Sequence, residues 1–218
     1  VTIGISIVIA DLMMWIWGGD FYQILPPDWL SGPIDLPLIT GDEVPHAPHI
    51  AVTARPWPGS VALYQGAEDA DYTLDRIIDA RATIGVTESA LLRAAPGRFD
   101  RADPLTVRLT SGELSSVSDA ALLSGKNLMA IGDGAPGNWE LFQFRAAQLV
   151  GPDTYLLTGR LRGQLGTDGG MPQAWPAGSR VVLMDGVPAQ IDLAAAARRY
   201  ARHYRIGPAQ RGYDDPSY

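Results

Sequence analysis

The sequence predicts a mainly β fold, an antiparallel sandwich or partly open barrel with one or two short helices. Several segments alternate apolar and polar residues with the period of a strand. Turn signals separate them, drawn from 24 glycines and 17 prolines. Only two stretches read as helix. With 46% hydrophobic residues in 218, the chain has enough apolar surface to bury a core.

Taken in order, "VTIGISIVIA" places an apolar residue at every odd position and runs on into "DLMMWIWGG". Residues 1–19 have the length of a membrane span. Asp11 would sit at its centre, Gly4, Gly18 and Gly19 weaken a helix, and no basic residue flanks it, so two buried strands fit better. A pattern already under way at Val1 reads as a piece of a longer polypeptide. Residues 20–49 carry six prolines and form a connector. "HIAVTAR" (49–55) and "SVALYQG" (60–66) flank "PWPG" and read as a hairpin. "DYTLDRIIDA" and "RATIGVTESALLRA" add short strands, and "DPLTVRLTSG" sets Leu105, Val107 and Leu109 against Thr106, Arg108 and Thr110, one buried face and one wet.

"SVSDAALLSG" is a short helix near 117–124, capped by Ser116 or Ser118 and closed by Gly125. "NLMAIGD", "NWELFQFRAAQLV", "TYLLTGRLRG" and "SRVVLMDGV" supply four more strands, the middle two joined by a tight turn at Gly151-Pro152-Asp153. "DLAAAARRYARHY" has alanine-driven helix propensity, and "RHYRIGP" follows as a final strand. The expected organisation is a strand pair and connector over 1–49, a β domain over 50–206 that could divide into 50–100 and 101–206, and a tail over 207–218, loosely ordered or tied to a neighbour.

Seventeen basic residues against 24 acidic ones give a net charge of −7, which argues against a phosphate-binding surface and specific nucleic-acid binding. There is no cysteine, so disulfides and thiolate metal sites are excluded. "GDGAPG" (132–137) has the letters of a dinucleotide fingerprint, yet leads into an alternating strand and not a helix, so it reads as a hairpin turn. His46 and His49 in "HAPH" are separated by prolines and lack a third ligand. The acids of "AEDADYTLD" lack the glycine and terminal glutamate of a calcium loop. No nucleophile elbow is present. No catalytic, cofactor or metal residue is therefore assigned.

Four residues remain as interaction candidates. Trp57 and Trp175 sit on proline-rich turns, where a ring can cover a core edge or stack on a sugar. In "YLLTGRLRGQLGTDGG" (155–170), period two places Arg160 and Arg162 with Leu156 and Thr158 on the wetter face, away from Tyr155 and Leu157. Two guanidiniums so spaced can clamp a carboxylate of a neighbouring subunit or of an acidic strand of the same chain. That is a scaffold more than a site.

"RLRGQLGTD" followed by "PAGSRVVLMDG" resembles a signature near the end of the central tail-tip proteins of siphophage-like particles. The ordered set "ARPWPGSVALY", "PLTVRLTSGELSSVS", "LLSGKNLMAIG", "WELFQFRAAQLVGPDTYLLTGRLRGQLGT" and "RHYRIGPA" is similar to the C-terminal region of the baseplate hub, or megatron, family of gene transfer agents. The resemblance covers residues 47–218. It implies a virion structural module of a trimeric hub at the distal tail tip, contacting other tail-tip proteins and the host envelope during DNA ejection. It brings no catalytic residue, because the family's glycosidase-like motifs are absent here. The alternative is a carbohydrate-binding or wall-degrading module that uses Trp57 or Trp175 on a host-surface glycan.

Overall fold

The computed structural model describes residues 30–34, 36–54, 56–135, 137–197 and 202–215. The strands expected within residues 1–19 lie outside that range. The fold is mainly β, with 41% strand and 9% helix. In chain order the strands are β1 (Leu30–Ile34), β2 (His49–Val52), β3 (Val61–Gly66), β4 (Thr73–Ile78), β5 (Ile84–Thr87), β6 (Leu91–Leu92), β7 (Phe99–Asp100) and β8 (Leu105–Ser111). Helix α1 (Asp119–Leu123) follows, then β9 (Leu128–Gly132), β10 (Trp139–Gly151), β11 (Thr154–Leu161), β12 (Ala174–Trp175), β13 (Arg180–Leu183), β14 (Ala189–Gln190) and β15 (His203–Pro208).

Six of these strands close an antiparallel barrel in the order β10–β9–β13–β5–β8–β11, with β11 returning to β10. The barrel is closed and not partly open, because β10 is long enough to serve two walls. Its residues Trp139–Gln143 pair with β9, and Gln143–Gly151 pair with β11. The interior is filled by Leu105, Val107 and Leu109 of β8, Met129 and Ile131 of β9, Phe142 and Phe144 of β10, Tyr155 and Leu157 of β11 and Val181 of β13. On β5 the corresponding position is Gly85, where a Cβ would lie 2.5 Å from the Arg108 carbonyl oxygen. That close approach is what the glycine permits.

The intervening residues of the same wall, Leu128, Ala130, Trp139, Leu141 and Val182, form a second cluster with Ala51, Ala82 and Ile84, flanked by Leu36 and Ile39. Because β9 is thus buried on both faces, "NLMAIGD" is a continuous apolar run. A third cluster joins β2, β3 and β15 through Val52, Val61, Leu63, Tyr204 and Ile206. Strands from residues 30–78 and 189–208 build this flanking layer, whose sheets have the orders β1–β2–β14 and β15–β3–β4.

The expected hairpin between residues 49–55 and 60–66 does not form. Strand β2 lies between β1 and β14, and β3 lies between β15 and β4. Pro56 and Pro58 stand in the connection, where fixed φ and missing N–H groups oppose a tight turn. The alanine-rich segment forms a 3₁₀ turn over Ala195–Ala197, and the chain then extends as β15. Residues 198–201 between them lie outside the described range, and β15 makes six cross-strand pairs to β3. The tail packs on its own chain: the Tyr213 ring centroid is 5.4 Å from Tyr64 and 5.5 Å from Tyr72. Helix α1 has Ser118 as its N-cap, accepting the Ala121 N–H, and Gly125 follows at φ 93°.

Candidate functional site

Strand β11 keeps its alternation as far as Leu157. Gly159 then adopts φ 63°, a left-handed conformation that breaks the pleat. Beyond it Arg160 sits opposite Phe144, an interior residue. The arginines are consequently not on a wet face: Arg160 is 1% exposed and Arg162 is 0% exposed.

Each guanidinium is held by carboxylates of the same chain. Arg162 grips Glu140 with two parallel bonds, Nε to Oε1 and Nη2 to Oε2, both 2.7 Å. Its Nη1 donates to the Leu92 carbonyl and lies 3.7 Å from Asp100 Oδ2. Glu140 also accepts the indole Nε1–H of Trp175 at 2.7 Å and the Gly163 N–H at 3.2 Å. Arg160 donates Nε to Asp100 Oδ2 at 3.0 Å, and its Nη1 and Nη2 bond the carbonyls of Asp103, Leu157 and Ala102. Burial would raise the Asp100 carboxyl, but the Arg160 hydrogen bond, the Ala102 N–H and the nearby Arg162 charge outweigh it and hold the group below its ordinary value.

The turn after β11 explains the letters of its motif. Gly163 has φ 59°, and a Cβ there would lie 2.5 Å from the Asp168 Cβ. Thr167 Oγ1 accepts the Leu141 N–H at 2.9 Å and donates to the Gln164 carbonyl at 2.8 Å. The result is a clasp that ties β6, β7, β10, β11 and β12 together at one end of the barrel. Its donors and acceptors are engaged with one another, so the cluster is equipped to hold strands together.

The four candidates are therefore distributed as follows. Arg160 and Arg162 meet in the clasp, and Trp175, 2% exposed, closes it. Trp175 has no free face for a sugar. Trp57 lies apart, half-buried against the flanking-layer cluster, with Nε1 donating to the Gly59 carbonyl at 3.0 Å. Sequence reasoning missed Glu140 and Asp100. A signal for Glu140 was present: in "WELFQF" it shares the rank of Phe142 and Phe144, and an acid on an apolar rank needs a cationic partner.

Other groupings do not converge. His46 Nε2 is 2.9 Å from the Leu193 carbonyl oxygen, and His49 is buried elsewhere in the same layer. Among the described residues no group of three or more His, Cys, Asp or Glu could hold a metal ion. Asp69 bonds the Tyr72 hydroxyl and Arg205. "GDGAPG" forms the β9–β10 hairpin connection. An open cleft of about 300 Å³ lies beside the clasp, lined by Arg93, Pro96, Asp168, Met171 and Gln173. No described helix is long and apolar enough to cross a membrane.

No curated protein matches the chain. Residues 82–182, which run from the approach to β5 into β13 and so hold the barrel up to Val182 together with its clasp, match the model of the family described as Rcc01698-like, C-terminal.

Proposed function

We propose that the chain is a structural module of the tail-tip or baseplate hub of a phage-like gene transfer agent particle, where it takes part in host attachment and DNA delivery. The observation that carries this reading is the coincidence of three things on one segment. Three of the five motifs that resemble the hub family, the family-model match over residues 82–182, and the internally satisfied clasp all fall on the barrel. A module whose buried charges are spent on its own strands works through its outer surfaces, by protein contacts and not by chemistry. Its partners in this reading are other tail-tip proteins and further copies of the hub, three around the tail axis. Its place is the distal tip, outside the producing cell and against the host envelope. The net charge of −7 suits a component near passing DNA, since like charge discourages adhesion.

Gold-labelled antibody raised against the barrel and applied to particles released by the encoding cells tests this. Label at the distal end of the tail is expected. Label confined to the heads, or particles that carry none of the chain, would refute the proposal.

A further inference from the structure

The flanking layer meets the barrel along a seam that contains two buried nitrogens without hydrogen-bond partners, His49 Nδ1 and Trp139 Nε1. His49 is 6% exposed and Trp139 4% exposed. Along β2, Ile50 and Val52 face the flanking-layer cluster, whereas Ala51 faces the barrel wall formed by Trp139, Leu141, Ala130 and Val182. By strand alternation His49 shares the rank of Ala51 and so belongs to the seam. It stands at the centre of its sheet, opposite Ile34 of β1 and Gln190 of β14.

We propose that this seam is a proton-sensitive joint: His49 is neutral while the flanking sheets are seated on the barrel, and proton uptake there unseats them. A charged imidazole carries two N–H donors, and one of them would be Nδ1–H in a place that offers it no acceptor. The surroundings supply little compensation. The barrel wall is apolar at the positions in contact, and Arg180, on the outward rank of β13 with Val182, is itself positive. Gln190 spends its amide on the carbonyls of Val44 and Ala47 and on the Val44 N–H. His46 is engaged with the Leu193 carbonyl. Among the described residues Glu43 is the carboxylate that acts on His49, and its oxygens are taken by the N–H groups of Thr40 and Gly41 and by the Thr40 hydroxyl.

Burial accordingly lowers the affinity of His49 for a proton, and Glu43 opposes it only in part. A base whose folded affinity is depressed contributes stability above its ordinary value of 6.5, and that contribution is lost as pH falls below it. The clasp residues Arg160, Arg162 and Glu140 face the barrel interior, on the opposite side of this wall from the seam, so the barrel keeps its closure while the seam loosens.

Amide exchange on the whole chain, followed at about pH 7.5 and about pH 5 and corrected for intrinsic rates, tests the joint. Protection over residues 47–52 and 187–191 should fall about tenfold or more in acid, while residues 105–111 and 154–161 stay protected. His49→Phe should abolish that loss. In the unaltered chain, the His49 ring should titrate below 6.5 by NMR, with a midpoint that coincides with the loss of seam protection. Equal protection at both pH values, an equal acid loss in His49→Phe, or a His49 ring that titrates like a free imidazole would each overturn the proposal. Should His49→Phe fail to fold, the titration of the unaltered chain decides alone.

Discussion

Arg162 and Glu140 form a two-bond ion pair with both side chains 0% exposed, so neither can be removed without stranding the other. Arg162→Ala should cost about 3–5 kcal/mol in urea unfolding, whereas the double change Arg162→Met with Glu140→Met should recover part of that loss, the Trp175 and Gly163 N–H groups still losing their acceptor. Asp100 answers to acid in a defined direction. Its carboxyl is held below the ordinary 3.8, so its contribution is present above that value and is lost as pH falls through the folded one. Asp100→Asn should therefore be less stable than the parent at neutral pH, and the two should converge in strong acid. Asp75 has the opposite sign. It is the extra residue of a bulge in β4, accepts the Asp192 N–H, and burial raises it to about 6. Asp75→Asn should stabilise the chain near neutral pH by on the order of 1–2 kcal/mol after allowance for solvent contact, and the gain should vanish as pH falls towards 3.8. At this scale the arginines were legible as a clamp on carboxylates. Their facing was not, because nothing in the letters "TGR" reveals that Gly159 turns left-handed and reverses the rank.

Among the elements, β8 shows how far a pattern can be read: its expected alternation is the observed one, buried at Leu105, Val107, Leu109 and Ser111. Helix α1 and the Gly151–Thr154 turn were legible for the same reason, since cap and turn chemistry are local. Ser118→Ala should lower thermal stability by about 1 kcal/mol through the lost Ala121 N–H contact. The pairing of β2 and β3 was misread because nearness in sequence favoured a hairpin, whereas β3 finds its ladder with β15, whose residues lie far along the chain. Gly85→Ala probes the element junction at β5 and β8. With the Arg108 carbonyl oxygen 2.5 Å from the new Cβ, the strands must part, and a loss of about 1–3 kcal/mol in urea unfolding is expected.

Over the whole molecule, the β class follows from composition and period. Closure does not, because it depends on which strands share β10, and period two is silent about partners. The clasp is equally a long-range fact, since Asp100, Glu140, Arg160 and Arg162 come from three strands and a turn. What closure and clasp together produce is a closed barrel whose buried charges face one another, and in the proposed function its uncovered outer faces meet neighbours. A side-chain-resolution reconstruction of the particle's tail tip tests that claim most directly. The account expects the six-stranded barrel at the distal end, its outer walls against other tail proteins and Arg162 enclosed with Glu140. A tip without the barrel, or arginines turned outward onto a ligand or a neighbouring chain, would contradict it.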